Sequence, residues 1–178
     1  METIKQKSQK SFEVLKEQFK YKNKMQAPRL VKVIVSTGVG KLRDDKRKIE
    51  IIPKKLALIT GQKPAERAAK KSIATFKVRA GQLSGFQVTL RGPRMYAFLD
   101  KLINVSLPRT RDFRGLSTNG IDAMGNYSLG IKENSIFPET ADEDLKDVFG
   151  LSITLVTTSK TKNETEAFLT YLGFPFKK

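Results

Sequence analysis

Apolar positions recur along this chain with two periods. Between Thr3 and Lys20, Phe12, Leu15 and Phe19 fall three and four apart among basic residues, which predicts an amphipathic helix. Leu30 to Val35 is apolar and β-branched, and reads as a strand running into Ser36-Thr37-Gly38-Val39-Gly40. The helical period returns from Asp44 to Thr60, with Ile49, Ile52, Leu56 and Ile59 on one stripe. Asp44 and Asp45 suit its first turn and Gly61 its end, while Pro53 inside predicts a kink or a split. From Gly61 to Gly81 the period is lost and the segment reads as irregular and basic. Phe86, Val88 and Leu90 then alternate with Gln87, Thr89 and Arg91 as a half-buried strand. Gly92-Pro93 breaks it and opens a helix with a wide apolar face: Met95, Phe98, Leu99, Leu102 and Ile103. Two more alternating strands follow, Tyr127, Leu129 and Ile131, then Leu151, Ile153 and Leu155. Between them, Phe137 to Asp147 reads as an acidic loop with a short helix. A last helix is predicted from Asn163 to Leu172, stopped by Gly173 with Pro175 beyond.

Four alternating strands and four one-striped helices predict an α+β domain in two layers. Its mostly antiparallel sheet is covered on one face by helices, and the other face is open and polar or basic. One domain over residues 1–178 is expected, with a basic arm at about 66–82. The open face would show Gln87, Thr89, Arg91, Ser128, Lys132, Ser152 and Thr154. Such residues suit an RNA groove or backbone, although any antiparallel sheet has a wet face.

Charge narrows the partner. The chain holds 34 Lys and Arg against 18 Asp and Glu, a formal net charge of +16. That excess is explained by a polyanion: nucleic acid, an anionic membrane or an acidic protein. It is uneven, with seven bases between Lys41 and Lys55, six between Lys63 and Arg79, and six between Arg91 and Arg114. Glu139, Asp142, Glu143, Asp144 and Asp147 make the opposite, acidic edge, which would turn away from the polyanion. His and Cys are absent, so disulfides, thiol nucleophiles and imidazole bases are excluded, and no metal or cofactor is expected. The acidic cluster lacks calcium-loop spacing. No apolar run approaches the roughly 20 residues that span a bilayer, and the first ten do not read as a secretory signal. The Thr3–Lys20 stripe is narrow for membrane docking. An enzyme is not expected.

Three stretches carry candidate chemistry. The strand followed by Gly38-Val39-Gly40 is a weak phosphate-turn signal, since Arg43 stands where a dinucleotide fingerprint needs glycine and Lys41 is followed by Leu42. Lys70-Lys71-Ser72-Ile73-Ala74-Thr75-Phe76-Lys77-Val78-Arg79 offers an aromatic among cations, which suits RNA. The alternative is a hairpin arm with Ile73, Phe76 and Val78 in the core. Leu107-Pro108-Arg109-Thr110-Arg111-Asp112-Phe113-Arg114-Gly115 alternates three arginines with one carboxylate and one aromatic. Guanidinium forks suit phosphates and stack on bases, and Asp112 could clamp one arginine while others face outward. A salt-bridged structural corner is the other reading.

Several blocks in order carry a family resemblance. They are Met25-Gln26-Ala27-Pro28-Arg29, Gly38-Val39-Gly40, Ile59-Thr60-Gly61-Gln62-Lys63-Pro64, the Lys70–Arg79 stretch, Val88-Thr89-Leu90-Arg91-Gly92, the arginine corner, Gly125-Asn126-Tyr127, Phe137-Pro138-Glu139 and Gly173-Phe174-Pro175-Phe176. The sequence resembles the bacterial-type large-subunit ribosomal protein L-five family over nearly its whole length. The resemblance implies a structural protein that binds 5S rRNA in the central protuberance and links it to large-subunit rRNA. It also implies contacts with P-site tRNA, with small-subunit protein thirteen in the head, and with neighbouring 5S-associated proteins. By resemblance, the 5S surface would comprise Asn23, Gln26, Lys32, Thr37, Gly38, Gly40, Thr89, Arg91 and Lys132. The tRNA-facing arm would comprise Lys70, Lys71, Ser72, Phe76, Lys77 and Arg79. The corner residues Arg109, Arg111, Asp112 and Arg114 would meet RNA or a partner protein. The implied location is a cytoplasmic ribosome, with an organellar one left open. Arg67 stands where the family's pattern leads one to expect a small hydroxyl residue, and Pro53 is also unexpected. A basic RNA-binding protein outside the ribosome and a peripheral membrane protein are the alternatives.

Overall fold

The computed structural model describes residues 2–42, 45–111, 113–141 and 148–177. Among them, five strands form one sheet in the order β2-β3-β1-β5-β4. These are β1 (Leu30–Gly38), β2 (Ala65–Ala68), β3 (Leu83–Leu90), β4 (Tyr127–Ile131) and β5 (Leu151–Thr157). The helices are α1 (Ile4–Phe19), α2 (Lys46–Thr60), α3 (Gly92–Lys101) and α4 (Lys162–Leu172). Neighbouring strands run antiparallel. Ala65 faces Gln87 and Ala68 faces Leu83 in the β2–β3 pair. Val39 N–H donates to Ser84 O, Thr158 N–H to Arg29 O, and the Ser128 and Thr154 hydroxyls meet at 2.9 Å. The expected α+β class and antiparallel sheet are therefore present.

The chain divides into two compact units: Met1–Val33, Leu90–Leu129 and Ile153–Lys178 form the first, and Ile34–Thr89 with Gly130–Ser152 the second. In the first, α1 packs on α4 and on α3. Its core holds Ile4, Leu15, Phe98, Leu99, Leu102, Phe168 and Leu169 with the strand residues Val33, Leu90, Ile153 and Leu155. A capping box between Thr3 and Gln6 starts α1, and the Asp100 carboxylate accepts from Ile4 N–H at 3.1 Å. The buried side of α1 differs from the expected stripe. Ile4, Ser8, Ser11 and Leu15 are buried, whereas Phe12 and Phe19 are half-exposed. Ser11 makes this possible because its hydroxyl donates inward to Ser8 O and Pro28 O. Thr161 caps α4 by accepting from Glu164 N–H, and Gly173 ends it in the left-handed conformation.

In the second unit, Asp45 caps α2, and Ile52, Leu56 and Ile59 bury its apolar face. Pro53 neither splits nor ends this helix, which runs unbroken from Lys46 to Thr60. Packing of the buried stripe outweighs the lost N–H. Gly85 lies where β3 crosses Thr37, and a Cβ there would stand 2.4 Å from Thr37 O. The fifth strand, β2, was not expected from the sequence. Ala-Glu-Arg-Ala lacks β-formers and is exposed throughout, so its pairing with β3 is what makes it a strand. Arg67, the residue that departs from the family's pattern, donates from Nε to Gln87 Oε1 at 2.7 Å within this pair.

Candidate nucleic-acid interface

In the first unit, the connector before β1 is a preordered turn. Asn23 Oδ1 accepts from Met25 N–H at 3.1 Å, and Gln26 Oε1 accepts from Lys22 N–H at 2.8 Å. Both side chains are exposed, and the cap engages their oxygens, leaving the donor amide groups outward. Lys32 is half-buried on β1. Arg91 does not lie within the strand. It follows the last residue of β3 as the N-cap residue of α3, with extended backbone and an exposed side chain. On the other side of α3, the last turn widens into a π turn over Leu102–Ser106 that delivers the arginine corner. Leu107 is buried, while Arg109, Arg111 and Arg114 are exposed and form no ion pair with a described carboxylate. The corner's far end is tied down by Leu116 N–H donating to Pro175 O at 2.7 Å. Asp112 lies outside the described residues, as do Asp142, Glu143, Asp144 and Asp147 of the acidic stretch and Arg43 of the glycine turn.

A second turn of this unit contains the Gly125-Asn126-Tyr127 block, but Asp122, which organises it, was not singled out in the sequence. The Asp122 carboxylate accepts from Met124 N–H, Asn126 N–H and the Asn126 amide, and these bonds hold it below the usual carboxylate range. Thr157 and Thr165 hydroxyls both donate to Gly125 O.

In the second unit, Thr89 is half-buried and Lys132 is exposed just past β4. Thr37 points inward: its side chain is buried and its hydroxyl donates to Gly150 O at 2.8 Å. Gly38 and Gly40 are exposed, and a Cβ built on either meets nothing within 4 Å. Neither has left-handed backbone. The same holds for Gly130, in the middle of β4 on its exposed side, which the sequence reading passed over. Its signal was available, since an interior strand glycine marks a close backbone approach. The arm is the extended β2–β3 hairpin. Ile73 and Val78 exchange backbone bonds at 2.9 and 3.2 Å, and a 3-10 turn over Ala74–Phe76 forms its tip. Ile73 and Phe76 are 47% and 65% exposed, so they are not core, while Val78 is half-buried. Lys70, Lys71, Ser72, Lys77 and Arg79 surround them, all exposed, and Ser72 Oγ accepts from Ala80 N–H. The arrangement presents cations, outward amides, an exposed aromatic and uncovered backbone. It presents no cluster of His, Cys, Asp or Glu able to hold a metal among the described residues.

Comparison with known proteins decides what this surface belongs to. Residues 84–176 match the C-terminus of the ribosomal L5 family, and residues 23–79 match ribosomal protein L5. The large ribosomal subunit protein uL5 of Ureaplasma parvum is 52% identical over 164 residues, covering 92% of this chain and 89% of the relative. The uL5 of Thermus aquaticus is also 52% identical, over 160 residues, 90% of this chain and 88% of the relative. That of Dictyoglomus thermophilum is 49% identical over 179 residues and the full length of both. This chain belongs to the ribosomal protein L5 family. As an L5 protein it is a structural component of the large ribosomal subunit, working in translation, and it is not an enzyme. Of the α1 stripe that a membrane surface would use, Leu15 is buried where α1 packs on α3 and α4, whereas Phe12 and Phe19 are half-exposed. No helix among the described residues is long and apolar enough to cross a membrane.

Proposed function

We propose that this L5 protein acts as one rRNA-binding domain that holds 5S rRNA in the central protuberance and links it to large-subunit rRNA. Its 5S surface comprises Asn23, Gln26, Lys32, Gly38, Gly40, Thr89, Arg91 and Lys132, to which we add Gly130. Thr37 serves through its backbone. The arm residues Lys70, Lys71, Ser72, Phe76, Lys77 and Arg79 reach P-site tRNA. The corner residues Arg109, Arg111 and Arg114 meet RNA, and other surfaces meet small-subunit protein thirteen in the head and neighbouring 5S-associated proteins.

The observation that carries this reading is the pair Gly38 and Gly130. Among the described residues nothing crowds a Cβ at either place, and neither has left-handed backbone. Glycine there admits an outside group to van der Waals contact with the main chain, and a +16 protein of the large subunit has RNA as the natural visitor. Gly38→Val and Gly130→Val test it. Both should fold with stability within about 1 kcal/mol of the parent, since less unfolded-state freedom offsets little else. Each should weaken 5S rRNA binding about tenfold or more, or about 1.4 kcal/mol. Two folded variants with parental 5S affinity would sink the reading.

A further inference from the structure

The basic excess of the chain is interrupted on one surface of the first unit. Between α1 and α4 lies a trench of ≈ 630 Å³. Val14 and Gln18 form one wall and Ala167, Thr170 and Tyr171 the other. Val14 is 52% exposed, an unusual place for a branched apolar side chain that the core does not use. Three carboxylates belong to its two helices: Glu166 lines the trench, and Glu13 and Glu17 stand one residue before and three after Val14 on α1. None of these three carboxylates is ion-paired with a described residue. On α1, Lys10 pairs with Glu2 at 2.5 Å and the Lys7 ammonium donates to Leu172 O at 3.4 Å. The Tyr171 hydroxyl stands at the wall as a hydrogen-bond donor.

We propose that this trench docks a basic segment of a neighbouring ribosomal protein. One or two apolar side chains of that segment lie on Val14, Ala167 and Tyr171, and its lysines and arginines meet Glu13, Glu17 and Glu166. An apolar floor between helices that carry charge is the anatomy of a protein contact, and two helix sides form the kind of groove that takes a helix or an extended strand. RNA is disfavoured, since uncompensated carboxylates repel phosphate. The proposal rests on the place of the chain in the large subunit and not on the 5S surface.

Two experiments on assembled ribosomes test it. A photo-crosslinking p-benzoylphenylalanine replaces Val14, an exposed position, and the adducts formed on purified 70S particles are mapped by mass spectrometry. The expected adduct is a Lys/Arg-rich segment of a ribosomal protein. An adduct on rRNA, or none, overturns the proposal. The three exposed carboxylates are then reversed in charge as Glu13→Lys, Glu17→Lys and Glu166→Lys together. The adduct should fall about tenfold or more, equal to about 1.4 kcal/mol, with 5S rRNA content unchanged. An undiminished adduct, or a parallel loss of 5S rRNA, overturns the proposal. The 5S reading has its own readout in the glycine variants, so either idea can fail alone.

Discussion

Tyr21 and Glu164 are 143 positions apart, and the Tyr21 hydroxyl donates to the buried Glu164 carboxylate. The other carboxylate oxygen accepts from Lys160 N–H at 2.7 Å. Tyr21→Phe removes one donor from a buried charge, and stability should fall by about 1–3 kcal/mol in urea unfolding. Burial, then the bond to Glu164, pushes the Tyr21 phenol up. A raised phenol contributes stability that is fully present below its unfolded value of about 10 and is lost as pH rises through the folded value. Wild-type protein should therefore weaken above about pH 10, and Tyr21→Phe should weaken less steeply. Asp122 works with the opposite sign. Its folded value is lowered, so its turn is ordered above the usual carboxylate range and loosens only as pH falls through the depressed value. The Asn126 backbone and side-chain amide resonances should follow that acid transition, and Asp122→Asn should remove it. The Tyr21–Glu164 pairing was not legible in the sequence, because a contact between distant positions leaves no local period.

At the scale of elements, legibility followed burial. β1, β3, β4 and β5 each have a buried side, so alternation showed them. β2 has none and was missed. The α1 stripe was shifted because Ser11 satisfies its hydroxyl within the helix and at Pro28, which hydropathy cannot register. Pro53 overstated the break in α2. Pro53→Ala restores an N–H inside an unbroken helix and should raise stability, by at most about 3 kcal/mol, seen as a higher melting temperature. The arm can be removed without touching the buried faces of β1 and β3. Deleting Ser72 to Val78 should leave 5S affinity within a factor of a few while weakening P-site tRNA retention on assembled ribosomes. Loss of 5S binding would reassign the arm.

At the scale of the molecule, charge and family blocks together made the ribosomal placement legible, whereas individual contact residues were less so. Asn23 and Gln26 are exposed as a binding turn requires, yet their oxygens also hold the turn together. Thr37 faces inward, since strand alternation pairs it with Val33 and Val35. Binding to 5S rRNA should fall steeply with salt, each phosphate contact adding about 0.7 to 0.9 to the log–log slope. A flat response in filter binding would contradict a phosphate-dominated interface.

The two sorts of glycine place the chain under two separate kinds of selection. Gly85 is imposed from within, because any side chain there would strike Thr37 O, while Gly38 has open space around it. A mutant library screened as free protein for protease resistance should therefore purge Gly85 and accept nearly anything at Gly38. The same library screened for growth of cells that depend on it should purge both. Positions intolerant in the second screen but not the first would trace the outline of whatever the protein touches, drawn by heredity instead of by coordinates.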